Sequence, residues 1–145
     1  MSKNKRHGKS RPGRGMSVRV KSAKGRKLSS TRWLQRQLND PYVELAVREG
    51  YRSRAAFKLI ELDDRFHFLK AGAKIVDLGA APGGWTQVSV QRCGADGTSS
   101  RARTVALDLD EIEPIAGATI IQADFLDDET PALILAELDG HADAV

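Results

Sequence analysis

Asp77-Leu78-Gly79-Ala80-Ala81-Pro82-Gly83-Gly84-Trp85 is the stretch whose reading decides the fold. Just before it, Ala73-Lys74-Ile75-Val76 reads as a short buried strand, and just after it Thr86-Gln87-Val88-Ser89-Val90-Gln91 reads as a helix ending near Gly94. A strand, a glycine loop and a helix form the ligand-binding corner of an open α/β sheet, where ligands sit beyond the carboxyl ends of the strands. Gly79, Gly83 and Gly84 let the backbone turn sharply and come close to a ligand where a Cβ would collide.

Two kinds of cofactor use such a corner. A dinucleotide calls for glycines spaced G-x-G-x-x-G, because its pyrophosphate must reach the helix N-terminus. Here the glycines run G-x-x-x-G-G, and Pro82 removes one of the N–H donors a phosphate would use. Trp85 adds a flat, bulky face beside the loop. Such a corner suits an uncharged nucleoside better than a pyrophosphate, and S-adenosylmethionine is the nucleoside-bearing cofactor it points to.

A chain of 145 residues is one domain's worth of sequence. The single cysteine, Cys93, excludes an internal disulfide and fits a reducing cytosol; it reads as a small helix residue beside Gly94 rather than a nucleophile. His7, His67 and His141 are scattered, without cysteine partners at ligand spacing, so no metal site is expected. No apolar run is long enough to span a membrane. The basic N-terminus lacks the apolar segment of a signal peptide, since Met16-Ser17-Val18-Arg19-Val20 is broken by charge. A cytoplasmic protein is expected.

The net charge of +4 hides an asymmetry. Residues 1–39 hold thirteen Lys and Arg and no Asp or Glu, whereas residues 40–145 hold the other ten bases and all nineteen acids, a net of −9. The segment 1–29 is rich in Lys, Arg, Gly and Ser and poor in apolar residues. It cannot bury enough surface to offset its ordering entropy, so a disordered basic tail is expected there. A basic arm on an acidic domain is an electrostatic handle for nucleic acid, with a merely solubilising tail as the alternative.

Ordered structure is expected from Ser30, where Ser30-Thr31-Arg32-Trp33-Leu34 leads into a short helix with Trp33, Leu34 and Leu38 as its apolar positions. Asn39 or Asp40 caps the next helix, Pro41 takes its first position and Gly50 closes it, with Tyr42, Leu45 and Ala46 facing inward. Ser53 then caps a third helix through about Asp64, packed through Ala56, Phe57, Leu59 and Ile60. This helical extension, 30–70, precedes the sheet portion, 73–145, and brings Arg48, Arg52, Arg54 and Lys58 close to where the sheet's crevice opens. Lys58 allows two accounts. It is either a solvated lysine paired with Glu61 at i,i+3, or a base whose pKa neighbouring cations lower.

Beyond the glycine loop, residues 94–103 form a polar connection, and Thr104-Val105-Ala106-Leu107-Asp108 forms the second strand. Asp108 ends it at about the place where an acidic residue holds ribose hydroxyls in such folds, although a strand-terminal Asp also serves as a turn cap. Ala118-Thr119-Ile120-Ile121-Gln122 is a third strand, followed by Asp124, which can accept from an adenine amino group, and Phe125. Thr130 and Pro131 begin a helix through Leu138, and His141-Ala142-Asp143-Ala144-Val145 opens a fourth strand.

Together these residues resemble the bacterial RlmE/FtsJ-type 2′-O-ribose methyltransferases of 23S rRNA. The resemblance is carried by Ser30–Leu34, Asp40-Pro41-Tyr42, Arg52-Ser53-Arg54-Ala55-Ala56-Phe57-Lys58-Leu59, Asp77–Trp85, Asp108 and Gln122-Ala123-Asp124-Phe125. It runs collinearly from about Ser29 to Val145 and leaves out the basic tail and the connection from Thr98 to Arg103. It implies a Rossmann-like methyltransferase fold, of which this chain is the N-terminal part, stopping after the start of the fourth strand. Gly83, Trp85, Asp108 and Asp124 match positions that contact S-adenosylmethionine, and Lys58 matches the first lysine of the family's Lys-Asp-Lys-Glu catalytic tetrad.

The implied reaction is in-line methyl transfer to a uridine 2′-hydroxyl of 23S rRNA within the 50S subunit, by a monomer without metal. The tetrad's Asp, second Lys and Glu would lie beyond Val145, so impaired transfer and an unfinished sheet edge are expected of this chain. Two other readings stand beside it: a non-catalytic RNA- or ribosome-binding remnant, and a methyltransferase for another RNA such as tRNA or a cap.

Overall fold

The computed structural model describes residue 25 and residues 27–145. The expected disorder of the basic tail falls almost wholly outside the described residues. At its end the expectation is corrected: Leu28 and Ser29 are helical, because the Lys27 carbonyl already accepts the Thr31 N–H at 3.0 Å. Two compact units divide the chain, residues 1–45 and 46–145.

In the first unit, helix α1 (Leu28–Leu38) keeps Trp33 and Leu38 exposed and Leu34 half-buried. Helix α2 (Pro41–Glu49) starts as its sequence dictates, with proline at the first position and the Asp40 carboxylate accepting the Tyr42 N–H at 2.8 Å. Burial grows along α2. Tyr42, in the first turn, is exposed, Leu45 is half-buried and Ala46 is buried, so the expected inward face holds only at the C-terminal end. There Gly50 adopts φ +79°, and the N–H groups of Gly50 and Tyr51 return to the carbonyls of Val47 and Ala46. This pair of bonds is a Schellman stop, which requires a left-handed residue.

Helix α3 (Ala55–Phe66) begins after Arg54 rather than on a Ser53 side-chain cap. The expected serine cap is absent because Ser53 Oγ lies over Gly84, where an added Cβ would collide with it. α3 packs through Ala56 and Leu59, as its sequence suggests, with Phe57 and Ile60 half-buried.

Strands β1 (Lys74–Leu78), β2 (Arg103–Asp108) and β3 (Ala118–Gln122) form a parallel sheet in the order β1-β2-β3. The chain then returns to the free side of β1, where Ala144 makes a parallel bridge with Ile75 and its carbonyl accepts the Val76 N–H at 3.0 Å. The strand order thus reverses at β1 with all pairings parallel, and the carboxyl end of β1 is the topological switch point where open α/β sheets bind ligands.

Helices cover both faces, which is why the strands read as nearly continuous apolar runs. Helix α4 (Gly84–Cys93) and α3 enclose Ile75, Val88, Cys93 and Ala102 on one face. Helix α5 (Thr130–Leu138) closes the other over Val76, Val105 and Leu107 with Ile134 and Leu138. A third cluster of Ala80, Ala106 and Ile112 lies beneath the glycine loop. α3 and α4 are tied by Arg92, which donates to both Asp63 and Asp64 at 2.7 Å.

Candidate functional site

The loop after β1 is held by the end of β2. Gly79 and Ala80 both donate their N–H to the Leu107 carbonyl, at 2.8 and 3.1 Å, and Ala81 donates to Asp108 Oδ2 at 2.8 Å. Three successive amides of the loop are therefore committed inside the protein. The ionised Asp108 carboxylate beside them disfavours an anionic group at this part of the loop.

Asp108 also accepts the Asp110 N–H through Oδ1 at 2.9 Å. The Asp110 and Ala81 amides, in that order, hold its carboxyl below the usual carboxylate range, so it is a fixed negative charge at neutral pH. Here the turn-capping account and the site account coexist: the carboxylate braces two turns and stays half-exposed.

Asp77, buried on the opposite strand, is a residue the sequence reading did not single out. It accepts the Thr86 hydroxyl at 2.7 Å. Burial pushes its carboxyl up, Thr86 opposes that, and the charge on Asp108 adds to it. Asp77, Gly79, Pro82 and Trp85 help line a cavity of about 240 Å³ with Ser53. On the Ala144 side of β1, a more apolar cavity of about 420 Å³ shares Asp77, Leu78 and Trp85 with it. The two open at the switch point.

Gly83 caps α4 at φ +114°, under the side chains of Ile115 and Arg52. Trp85 does more than present a face. Its indole N–H donates to the Ala55 carbonyl at 2.7 Å, fastening the start of α4 to the first residue of α3. Lys58 lies in the following turn of α3, exposed, and makes no ion pair with Glu61 among the described residues. Of the solvated-pair account, the solvated part holds and the pairing with Glu61 is not seen.

Asp124 follows β3. Ala123, before it, donates its N–H to the Asp108 carbonyl at 3.1 Å, while Asp124 Oδ1 accepts the Leu126 N–H at 2.9 Å. Gly83, Trp85, Asp108 and Asp124 therefore all lie along the carboxyl ends of β1, β2 and β3, whereas Lys58 stands on the helix that Trp85 grips.

The sequence also missed the fastening of this corner to the segment ahead of α3. Gln87 of α4 accepts the Arg52 N–H at 2.8 Å and donates to the Gly50 carbonyl at 3.1 Å. Backbone acceptors leave no pattern in sequence, and only the position of Gln87 on the first turn of α4 hinted at it.

Residues 51–145 match the model of the FtsJ-like methyltransferases. The chain belongs to the FtsJ-like methyltransferase family. Among curated relatives of this FtsJ-like chain, the ribosomal RNA large subunit methyltransferase E of Ruegeria pomeroyi is 59% identical over 135 residues, covering 91% of this chain and 58% of that protein. Its namesake in Roseobacter denitrificans is 57% identical, covering 91% and 56%. That of Maricaulis maris is 55% identical, covering 97% and 48%. The chain spans roughly half to three-fifths of the length of these relatives. A match over 97% of the chain also takes in most of the basic segment, which the sequence reading had placed outside the family likeness. Among the described residues, no group of three acidic, histidine or cysteine side chains could hold a metal ion, and no helix is long and apolar enough to cross a membrane.

Proposed function

We propose that this FtsJ-like chain is the cofactor-binding part of an S-adenosylmethionine-dependent enzyme that methylates a uridine 2′-hydroxyl of 23S rRNA in the large ribosomal subunit. The observation that supports the choice of cofactor is the ionised Asp108 carboxylate bonded to the glycine loop at Ala81, beside a loop whose Pro82 lacks an N–H donor. The residues present fit S-adenosylmethionine. At Gly79, with φ +71°, nothing stands within 4 Å of where a Cβ would project, so bare backbone faces open space. When bound, the cofactor supplies an electrophilic sulfonium methyl.

The chain's own groups then have distinct tasks. Asp108, held ionised, accepts from ribose hydroxyls, and Asp124 accepts from the adenine amino group. Gly83 allows close approach at the helix start, and Trp85 walls the cavity. Lys58, one turn into α3, acts on the acceptor 2′-hydroxyl as the catalytic residue of this chain. The basic segment ahead of α2 contributes phosphate contacts to ribosomal RNA, and the division into a basic arm over 1–29 and a methyltransferase portion from 30 belongs to the same reading. So does a cytoplasmic setting, where the subunits and a buried, reduced Cys93 coexist.

Methyl incorporation from labelled S-adenosylmethionine into hypomethylated 50S subunits tests this in the protein that carries the chain. Lys58→Ala is expected to reduce incorporation at least a hundredfold while changing cofactor affinity less than twofold. Unchanged incorporation would remove Lys58 from the mechanism.

A further inference from the structure

Arg52 reads from sequence as one more cation for RNA, but its guanidinium is spent inside the protein. Nη1 donates to the Pro82 carbonyl at 3.2 Å and to the Glu113 carbonyl at 2.6 Å, and Nη2 donates to the Pro114 carbonyl at 2.7 Å. Its own N–H is held by Gln87 at 2.8 Å. One side chain thus joins three segments that are distant in sequence: the turn before α3, the glycine loop, and the β2–β3 connection. Below it, Gly83 is the residue that lets this closure happen, since an added Cβ would lie 2.6 Å from Ile115 Cδ1 and 3.4 Å from Arg52 Cδ.

The planar fork is what makes such a brace possible. Two nitrogens of one guanidinium can address carbonyls from separate segments at once, while a lysine offers a single ammonium on a flexible stem. Charge-assisted bonds of this kind are stronger than neutral ones. The Pro82 carbonyl belongs to the stretch that lines the cavity, and the Glu113 and Pro114 carbonyls belong to the connection that begins just past Asp108. The start of the loop is already bonded to Leu107 and Asp108, and Arg52 fixes its far end, at Pro82, against the connection beyond Asp108.

We propose that Arg52 is a positioning residue that holds the glycine loop against the β2–β3 connection, so that both sides of the nucleoside site are set before the ligand arrives. This rests on the cofactor reading above. A positioning role through the Arg fork differs from a phosphate contact in one testable respect: a lysine would largely preserve the second and not the first.

The test is titration of the chain and its Arg52→Lys variant with S-adenosylmethionine, alongside the unfolding midpoint of each without ligand. The brace predicts a Kd raised fivefold or more with a near-native midpoint, so that the conservative substitution fails to rescue. A Kd changed less than fivefold in a folded variant overturns it. If Arg52→Lys does not fold, Arg52→Gln, which keeps a planar amide donor but not the fork, is measured instead. A weakened Kd supports the brace, and an unchanged one overturns it. If the unaltered chain binds no S-adenosylmethionine, the cofactor reading has failed separately. The brace is then read from amide exchange at Gly83–Trp85, which Arg52→Lys must accelerate and which, if unaltered, overturns it.

Discussion

Asp77 and Asp108 end up near one another with opposite electrostatic fates. Asp108 takes two backbone N–H bonds and is held ionised; Asp77 is buried with a single hydroxyl donor, and its carboxyl is pushed up from 3.8. The folded state therefore keeps a proton on Asp77 to higher pH than the unfolded chain does. The stability this gives is present below the unfolded value and is lost as pH rises through the folded one. Asp77→Asn lacks that step while still offering Thr86 an acceptor. The unfolding midpoint of the variant relative to the unaltered chain is expected to rise as pH climbs through the interval just above the unfolded carboxylate value. A difference that stays constant over that interval would mean that Asp77 is not desolvated in the folded protein. Sequence placed Asp77 at the head of the loop but gave no sign of this, because a strand-terminal Asp looks the same whether a helix covers it or not.

Elements were legible where a local chemical signal set their ends. β3 and α5 fall on the expected residues, the first because Thr119-Ile120-Ile121 is bounded by Gly117 and polar Gln122, the second because Pro131 fits only a helix start. α3 was legible in its buried face but not in its cap, because Ser53 is used tertiarily against Gly84 instead of locally. Its far end shows the same principle. Asp63 Oδ1 accepts the Leu69 N–H at 2.8 Å, and Oδ2 accepts from Arg92 at 2.7 Å, so one buried carboxylate terminates α3 and docks α4. Asp63→Ala strands the Leu69 N–H and leaves Arg92 with Asp64 alone, and is expected to lower stability by about 1–3 kcal/mol, read from the urea midpoint at constant m. A loss under about 0.5 kcal/mol would show that the two helices dock on apolar contacts alone.

At the scale of the molecule, the glycine corner implied an open α/β sheet but not the order of its strands, which is set by pairings distant in sequence, including the return of Ala144 to β1. The braces around that corner were not legible: Arg52, Gln87 and Trp85 spend their polar groups on backbone carbonyls and amides up to about sixty residues away, and no pattern in sequence encodes those partners. The charge asymmetry carries its own expectation. With thirteen Lys and Arg in residues 1–39, affinity for large-subunit RNA is expected to fall steeply with salt and to lose most of that slope when residues 1–24 are removed. A slope unaffected by the deletion would assign phosphate contact to the folded part.

In the proposed site, Asp108 would hold a nucleoside at the glycine corner and disfavour a pyrophosphate. Equilibrium titration of the chain with S-adenosylmethionine and, in parallel, with NAD measures this most directly, with Asp108→Asn beside it. Saturable binding of S-adenosylmethionine, weakened roughly tenfold or more by Asp108→Asn, with no binding of NAD, is the predicted result. Binding of NAD, or S-adenosylmethionine affinity indifferent to Asp108→Asn, would contradict it.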